Sequence, residues 1–146
     1  MEIPARTVSC GTARGRVVVS AQPLNLLVAL KASLAWWHRL GMIGDADHDL
    51  FGVRTTGRIL VLPTLYGSTM GAPMLLELVR KRLAPRALIL QDAGSLAAAV
   101  GALAHAWLER PFPVVDRPQD DLWARLKTGD LVVVSAQPDG AVITIP

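Results

Sequence analysis

Apolar and polar positions change period several times along this chain, and each change marks an element. Val17–Ser20, Ile59–Pro63 and Leu131–Ser135 are short β-branched runs, with Ala87–Leu90 and Ala141–Ile145 as further candidates. Each is bounded by Gly, Pro or Asp, the pattern of short buried strands. Leu26, Leu27, Leu30, Leu34 and Trp37 recur at helical spacing, and Asn25 stands where a cap would. Met74–Leu83 predicts a second helix that ends before Ala84-Pro85. The alanine-rich stretch Ser95–Arg110 predicts a third, stopped by Pro111-Phe112-Pro113. Strands outnumber helices and cluster at both ends, which predicts an α/β domain built around a barrel-like sheet. No linker-like segment interrupts residues 1–146, so they read as a single domain.

One repeat stands out. Val17-Val18-Val19-Ser20-Ala21-Gln22-Pro23 recurs identically as Val132-Val133-Val134-Ser135-Ala136-Gln137-Pro138. The period is too long for a solenoid. The expectation is two strands facing equivalent environments in one barrel.

Composition narrows the function classes. The chain is 51% hydrophobic and 18% charged, more apolar than a soluble monomer needs. Its longest apolar stretches, Leu24–Leu30 and Ala32–Trp37, are split by Lys31 and closed by His38 and Arg39. Neither approaches the roughly 18 residues of a membrane span. Met1-Glu2-Ile3-Pro4-Ala5-Arg6 lacks the apolar core of a signal peptide. A cytoplasmic protein with a partner-covered surface, not a membrane protein, is the expectation. Cys10 stands alone, which excludes an intramolecular disulfide or a cysteine-ligated metal site made by this chain by itself. The net charge is +3 and the tight basic run Arg80-Lys81-Arg82 reads as a helix end, where cations suit the dipole. No basic stripe interleaved with aromatic residues is visible, so nucleic acid is not an expected partner.

The stretch Gly57–Pro73 carries the candidate chemistry. A buried strand ends at Pro63, a tight loop follows, and a helix begins near Pro73, a residue comfortable in a first helical turn. Such a loop aims backbone N–H groups and the positive end of a helix dipole at one small volume, suited to carboxylate or phosphate. Gly67 and Gly71 permit close backbone approach. Ser68 and Thr69 then present two hydroxyls there. A serine becomes a proton acceptor only where positive charge or donated hydrogen bonds stabilise its alkoxide. By spacing alone the commoner role of these hydroxyls is a helix cap, and no Gly-Lys-[Ser/Thr] follows to make a Walker A loop.

Gly57-Arg58-Ile59-Leu60-Val61-Leu62-Pro63, then Gly67-Ser68-Thr69-Met70-Gly71, then Leu75-Leu76-Glu77-Leu78, then Ala84-Pro85-Arg86-Ala87-Leu88-Ile89-Leu90 resembles the swivel domain of aconitase X. Ala99–Pro113 leading into Val114-Val115-Asp116, and Thr128-Gly129-Asp130-Leu131-Val132-Val133-Val134, resemble that family's next elements in the same order. The resemblance implies a swivelling β/β/α barrel and a hydro-lyase that dehydrates a small hydroxy acid. It implies an iron–sulfur cluster carried by a large subunit, with this chain as the small subunit of a heterodimer. Carried over, Ser68 is the catalytic base, with Gly67, Thr69, Met70 and Gly71 as substrate-binding neighbours. His48, in Asp47-His48-Asp49-Leu50-Phe51-Gly52, matches the family's histidine and is a further substrate-binding candidate. The N-terminal third departs from the pattern: Pro23-Leu24 is followed by Asn25-Leu26-Leu27, Leu34-Ala35-Trp36-Trp37-His38-Arg39 is a competing match, and neither has the family's paired glycines or its acidic residue.

Two substrates fit the resemblance. No cation lies in Tyr66-Gly67-Ser68-Thr69-Met70, which favours a cis-3-hydroxy-L-proline-type substrate over (R)-5-phosphomevalonate. A subunit that keeps the swivel fold without catalysis is the third reading, supported by the altered first third. Among other residues, Asp47 and Asp49 flank His48 as a solvated turn more than as metal ligands. Trp36, Trp37, Trp107 and Trp123 read as core or interface anchors, His105 as packed or half exposed, Arg54 as a surface charge, and Asp92 as a strand-end residue with no specific role.

Overall fold

The computed structural model describes residues 1–35 and 39–146. The side chains of Leu34, Trp36, Trp37 and His38 lie outside what is described. Four apolar residues in a row with no alternation mark strands covered on both faces. Two such strands, β4 (Ile59–Leu62) and β6 (Ala87–Leu90), form the centre of the sheet. Parallel to them run β2 (Gly11–Val19) on one side and β7 (Val114–Asp116) on the other. The antiparallel strands β1 (Glu2–Ser9), β8 (Leu131–Gln137) and β9 (Gly140–Thr144) complete the order β1-β7-β6-β4-β2-β8-β9, and β1 pairs with β9 to close a barrel. Closure leaves no strand edge exposed in that sheet.

The crossovers are helical, as parallel neighbours require: α1 (Leu26–Ala35), α2 (Gly71–Arg80) and α3 (Gly94–Leu108). Alternate residues of the parallel strands therefore serve two cores. Val17, Ile59, Val61, Ile89 and Val115 join Val132, Val134 and Ile143 inside the barrel. Val18, Leu60, Leu62, Leu88, Leu90 and Val114 pack outward against Leu26, Leu30, Leu75, Leu78, Ala97 and Val100 of the helices. A short helix, α4 (Leu122–Arg125), is capped by Asp121 and inserts Leu122, with Leu126 after it, into the barrel core. The barrel is thus a packed interior with no room for substrate.

Helix ends differ from the sequence expectation for identifiable reasons. The second helix starts at Gly71, before Met74, because the turn Ser68–Gly71 already closes on itself through Gly71 N–H to Ser68 carbonyl at 3.0 Å. It stops at Arg80, before Leu83. Arg82 takes φ 60, and Arg82 and Leu83 donate back to Val79 and Leu78, which is a Schellman termination. Asn25 does cap α1: its Oδ1 accepts from Val28 N–H at 3.2 Å.

Three expectations need correcting. The first strand is longer and begins at Gly11, because its charged first half pairs with β8 and needs no apolar run. Residues 2–9 form a strand that no run announced: Pro4 and alternating polar residues hide it, and the ladders to β7 and β9 make it. The identical heptapeptides share their inward face only: Val17 and Val132, like Val19 and Val134, point into the barrel core, but their outward faces differ. Val18 packs under the helices, while its counterpart Val133 lies on the half-covered outer face of an antiparallel strand. Strand β2 leaves the sheet at Ser20, whereas β8 continues through Ser135 and Ala136 to its hairpin.

Candidate active site

The parallel strands all end at one rim, and the Ser68 loop rises from it. After β4, the chain makes β5 (Leu65–Tyr66), which pairs in parallel with β3 (Leu24–Asn25). Each of these two-residue strands leads into a helix, so the N-termini of α1 and α2 lie side by side. Contact there is very close. A Cβ on Gly71 would sit 2.9 Å from Leu26 Cβ and 3.0 Å from Leu27 N. Gly67 has φ +104, and a Cβ on it would meet Asn25 Oδ1 at 2.5 Å. Only glycine lets the serine loop seat against the capped start of α1. Two positive helix ends therefore converge beside Ser68 and Thr69.

The loop's hydrogen bonds sharpen the expected anion pocket. Met70 N–H donates to Ser68 Oγ at 3.2 Å, and Gly71 and Ala72 N–H donate to the Ser68 and Thr69 carbonyls at 3.0 and 3.2 Å. Pro73 has no N–H. The helix start thus satisfies most of its own donors, fewer of which face outward than the loop sequence suggested. Among the described residues, the N–H groups of Ser68 and Thr69 have no internal partner. These two adjacent donors, with the hydroxyls, are what an anion would meet. The bond from Met70 favours an ionised Oγ, since hydrogen bonding to a charged form stabilises it.

Residues 66–70 are all exposed, with Tyr66 and Met70 leaving 51% and 57% of their surfaces in water. Among the described residues, no wall covers the serine. On this chain the arrangement is an open platform, not a closed cavity of the kind that excludes water from chemistry.

His48 lies in the segment tied to the end of β2. Its ring is buried, Nδ1 accepts from Leu50 N–H at 3.0 Å, and Nε2 faces the Gln22 carbonyl at 3.3 Å. This pattern selects the tautomer protonated on Nε2. Asp49 Oδ1, 3.1 Å from Nδ1, accepts from Ser20 Oγ at 2.7 Å instead and pairs ionically with the ring only when it is protonated. No contact joins His48 to the Ser68 loop among the described residues.

The rim also holds a feature that spacing did not reveal. Asp116, at the end of β7, is fully buried and accepts Arg6 Nε and Nη2 at 2.8 and 2.7 Å together with Ala93 N–H at 2.9 Å. Burial pushes its carboxyl up, but the Arg6 fork and the Ala93 N–H outweigh this and hold it below the usual carboxylate range. Gly94, next to Ala93 at the start of α3, approaches Thr64 and Leu65 at the base of the serine loop. The buried carboxylate and its half-exposed arginine therefore help to set the rim on which Ser68 stands. The sequence signals of Asp116 were an acidic residue closing an apolar strand and that strand's place in the ordered resemblance, neither of which named Arg6 as partner. Asp92 pairs loosely with Arg117 at 3.6 Å, and Trp123 donates from Nε1 to the Ser20 carbonyl at 2.8 Å. Trp107 and His105 are exposed on α3, the latter more than expected, and Arg54 is exposed and donates to the Leu40 carbonyl.

A cluster site is not built here. Cys10 is exposed in the turn between β1 and β2, and among the described residues no three His, Cys, Asp or Glu side chains converge. The residues present do not fit an iron–sulfur cluster. Among the described residues, no helix is long and apolar enough to cross a membrane.

The model for the aconitase X swivel domain matches residues 2–145. The phosphomevalonate dehydratase small subunit of Methanothermobacter thermautotrophicus is 32% identical over 93% of this chain and 95% of its own length. That of Thermococcus kodakarensis is 32% identical over 93% and 91%. The crystal structure of Thermococcus kodakaraensis aconitase X in its holo-form superposes with TM-score 0.81 at 32% identity, covering 100% of this chain and 98% of that one. A solution structure of a UPF0107 protein gives 0.80 at 27%, covering 100% and 99%. With its closed barrel, its three crossover helices and its serine loop between two helix starts, this chain belongs to the aconitase X swivel-domain family.

Proposed function

We propose that this chain is the small subunit of an aconitase X-type hydro-lyase, that its substrate is (R)-5-phosphomevalonate, and that Ser68 is its base. The substrate reading rests on relatives at 29–34% identity that are phosphomevalonate dehydratase small subunits and that this chain matches over most of their length. This replaces the hydroxyproline-type expectation. That expectation rested on the lack of a cation within residues 66–70, but the loop's free N–H groups suit the substrate's carboxylate, and its phosphate lies beyond the loop. The large subunit can supply further phosphate contacts.

The observation that carries the mechanism is the pair of helix starts packed against the Ser68 loop through Gly67 and Gly71. Thr69 and the free N–H groups hold the substrate's carboxylate. Ser68 Oγ, its charge eased by Met70 N–H, takes a proton from the carbon beside that carboxylate. The C–H electron pair becomes the double bond, the hydroxyl on the next carbon departs, and the proton removed and the hydroxide lost together make up one water. The open face around Tyr66 and Met70 is closed by the large subunit, which carries the iron–sulfur cluster. His48 acts behind this surface, holding residues 20–22 in place.

The test is reconstitution with an aconitase X-type large subunit, supplying (R)-5-phosphomevalonate and cis-3-hydroxy-L-proline separately. Turnover of the first alone, abolished by Ser68→Ala with assembly intact, is the expected result. Turnover of hydroxyproline instead overturns the substrate, and undiminished turnover by Ser68→Ala overturns the base.

A further inference from the structure

We infer that a groove at the opposite edge of the parallel sheet from Ser68 binds an oligophosphate. Gly57–Arg58 precede β4, and Arg86 precedes β6, so this edge is the N-terminal one. A hollow of about 740 Å³ there is lined by Arg14, Arg82, Arg86 and Arg110. An adjoining hollow of about 480 Å³ is lined by Arg14, Arg16, Arg58 and Arg86. Arg14, Gly57 and Arg86 line both, so the two hollows adjoin along one face. The arginines come from separate stretches of sequence and meet only because β2, β4 and β6 are neighbours.

Among the described residues, no acidic side chain lines either hollow. Arg16, Arg86 and Arg110 are fixed by donating to the carbonyls of Gly129, of Arg14, and of Val79 and Arg80, at 2.7–2.9 Å. Carbonyls position a guanidinium without neutralising it. Among the described residues, Arg14, Arg58 and Arg82 have no carboxylate partner. Glu77 is occupied by Arg80 and Lys81, and Glu109 points into solvent beside Arg110. Six guanidinium charges gather in a chain whose net charge is only +3, so the remaining surface is net negative and an anion is drawn to this one place.

The chemistry selects phosphate. Guanidinium forks match phosphate oxygens in pairs, and a groove spanning two hollows takes a chain of phosphates, not a single ion. Phe112 is buried between Pro111 and Pro113, so no ring is offered for a base to stack on, and recognition stays with the phosphates.

Calorimetric titration of the full chain with inorganic tripolyphosphate, in about 0.15 M salt to screen loose surface charge, tests this directly. Saturable binding at one site is expected, weakened about tenfold or more by Arg14→Gln/Arg58→Gln through loss of bidentate contacts. The charge-matched Lys31→Gln/Arg117→Gln should change affinity by less than about twofold, because exposed distant charges are screened. Arg82→Asn is the second variant, since asparagine tolerates the positive φ and the fold is kept. ATP titrated in parallel distinguishes sources: equal affinity points to free oligophosphate, tighter binding to a nucleotide. No saturable binding, or binding unchanged in both groove variants, overturns the proposal. So does an oligonucleotide that displaces tripolyphosphate at lower concentration, which would make the groove a nucleic-acid surface.

Discussion

Replacing Gly67 by alanine is the sharpest probe of the serine loop, because a second glycine supplies its own control. Gly67 and Gly52 both have positive φ, +104 and +78. A Cβ on Gly52 meets nothing within 4 Å, while one on Gly67 meets Asn25 Oδ1 at 2.5 Å. Gly52→Ala therefore carries only the cost of a left-handed alanine, about 1 kcal/mol. Gly67→Ala carries at least that cost, since φ +104 lies further from the left-handed well, and must also push Asn25 away from Val28 N–H, losing a helix cap worth about 1 kcal/mol. The expected total is about 2–3 kcal/mol, or roughly 6–9 °C in melting temperature at roughly 3 °C per kcal/mol for a chain of this size. Calorimetry of the two variants reads the difference, and turnover of the reconstituted enzyme reads its consequence. Gly67→Ala should lose most dehydration because Ser68 shifts off the helix starts; Gly52→Ala should keep it. Equal destabilisation by the two would refute the packing argument, and full activity in Gly67→Ala would refute the claim that this seating positions the base.

Other parts of the rim give further outcomes. Asp116→Asn keeps the volume but loses the charge that binds Arg6 and Ala93; with Arg6 half exposed, a loss of about 2–3 kcal/mol by urea unfolding is expected, less than for a fully buried pair. Because the folded carboxyl titrates below its unfolded value, the stability it confers is present above about pH 4 and drains away as the pH falls through the folded-state value. The acid limb of the stability curve should therefore flatten in Asp116→Asn. His48→Asn leaves an oxygen to accept Leu50 N–H but abandons the Gln22 carbonyl, so a loss of about 1–2 kcal/mol is expected, against more than about 3 for His48→Ala, where both partners go unmet. Trp123→Phe removes the bond to the Ser20 carbonyl and part of the ring's packing while keeping an aromatic side chain, and thermal unfolding should show a loss of about 1 kcal/mol or more.

The two ends of the sheet divide the labour. At the C-terminal rim, helix starts and free N–H groups suit a small anion beside a hydroxyl. At the N-terminal edge the helix ends would repel an anion, and arginines reverse that: Arg110 covers the α2 carbonyls of Val79 and Arg80 and still leaves its charge in the groove.

By itself, the sequence determined whatever depends on local period and local chemistry. Unbroken apolar runs at Ile59–Leu62 and Ala87–Leu90 declared strands buried on both faces, Asn25 declared a cap, and the ordered motifs from Gly57 to Val134 declared the family and pointed to Ser68. The tertiary structure alone decided which of these elements meet. Residues 2–9 became a strand because two ladders needed them. Identical heptapeptides kept a common inward face but acquired different outward surroundings, because one lies in the parallel half of the barrel and the other in the antiparallel half. Asp116 found Arg6, and six scattered arginines found one groove, because strands distant in sequence became neighbours. Within the serine loop, the division falls between its residues and its setting. Its hydroxyls and glycines are written in the chain, but the second helix start that presses against them is supplied by the pairing of β3 with β5. Local pattern encodes what each segment can bury, and burying all of them at once selects their partners.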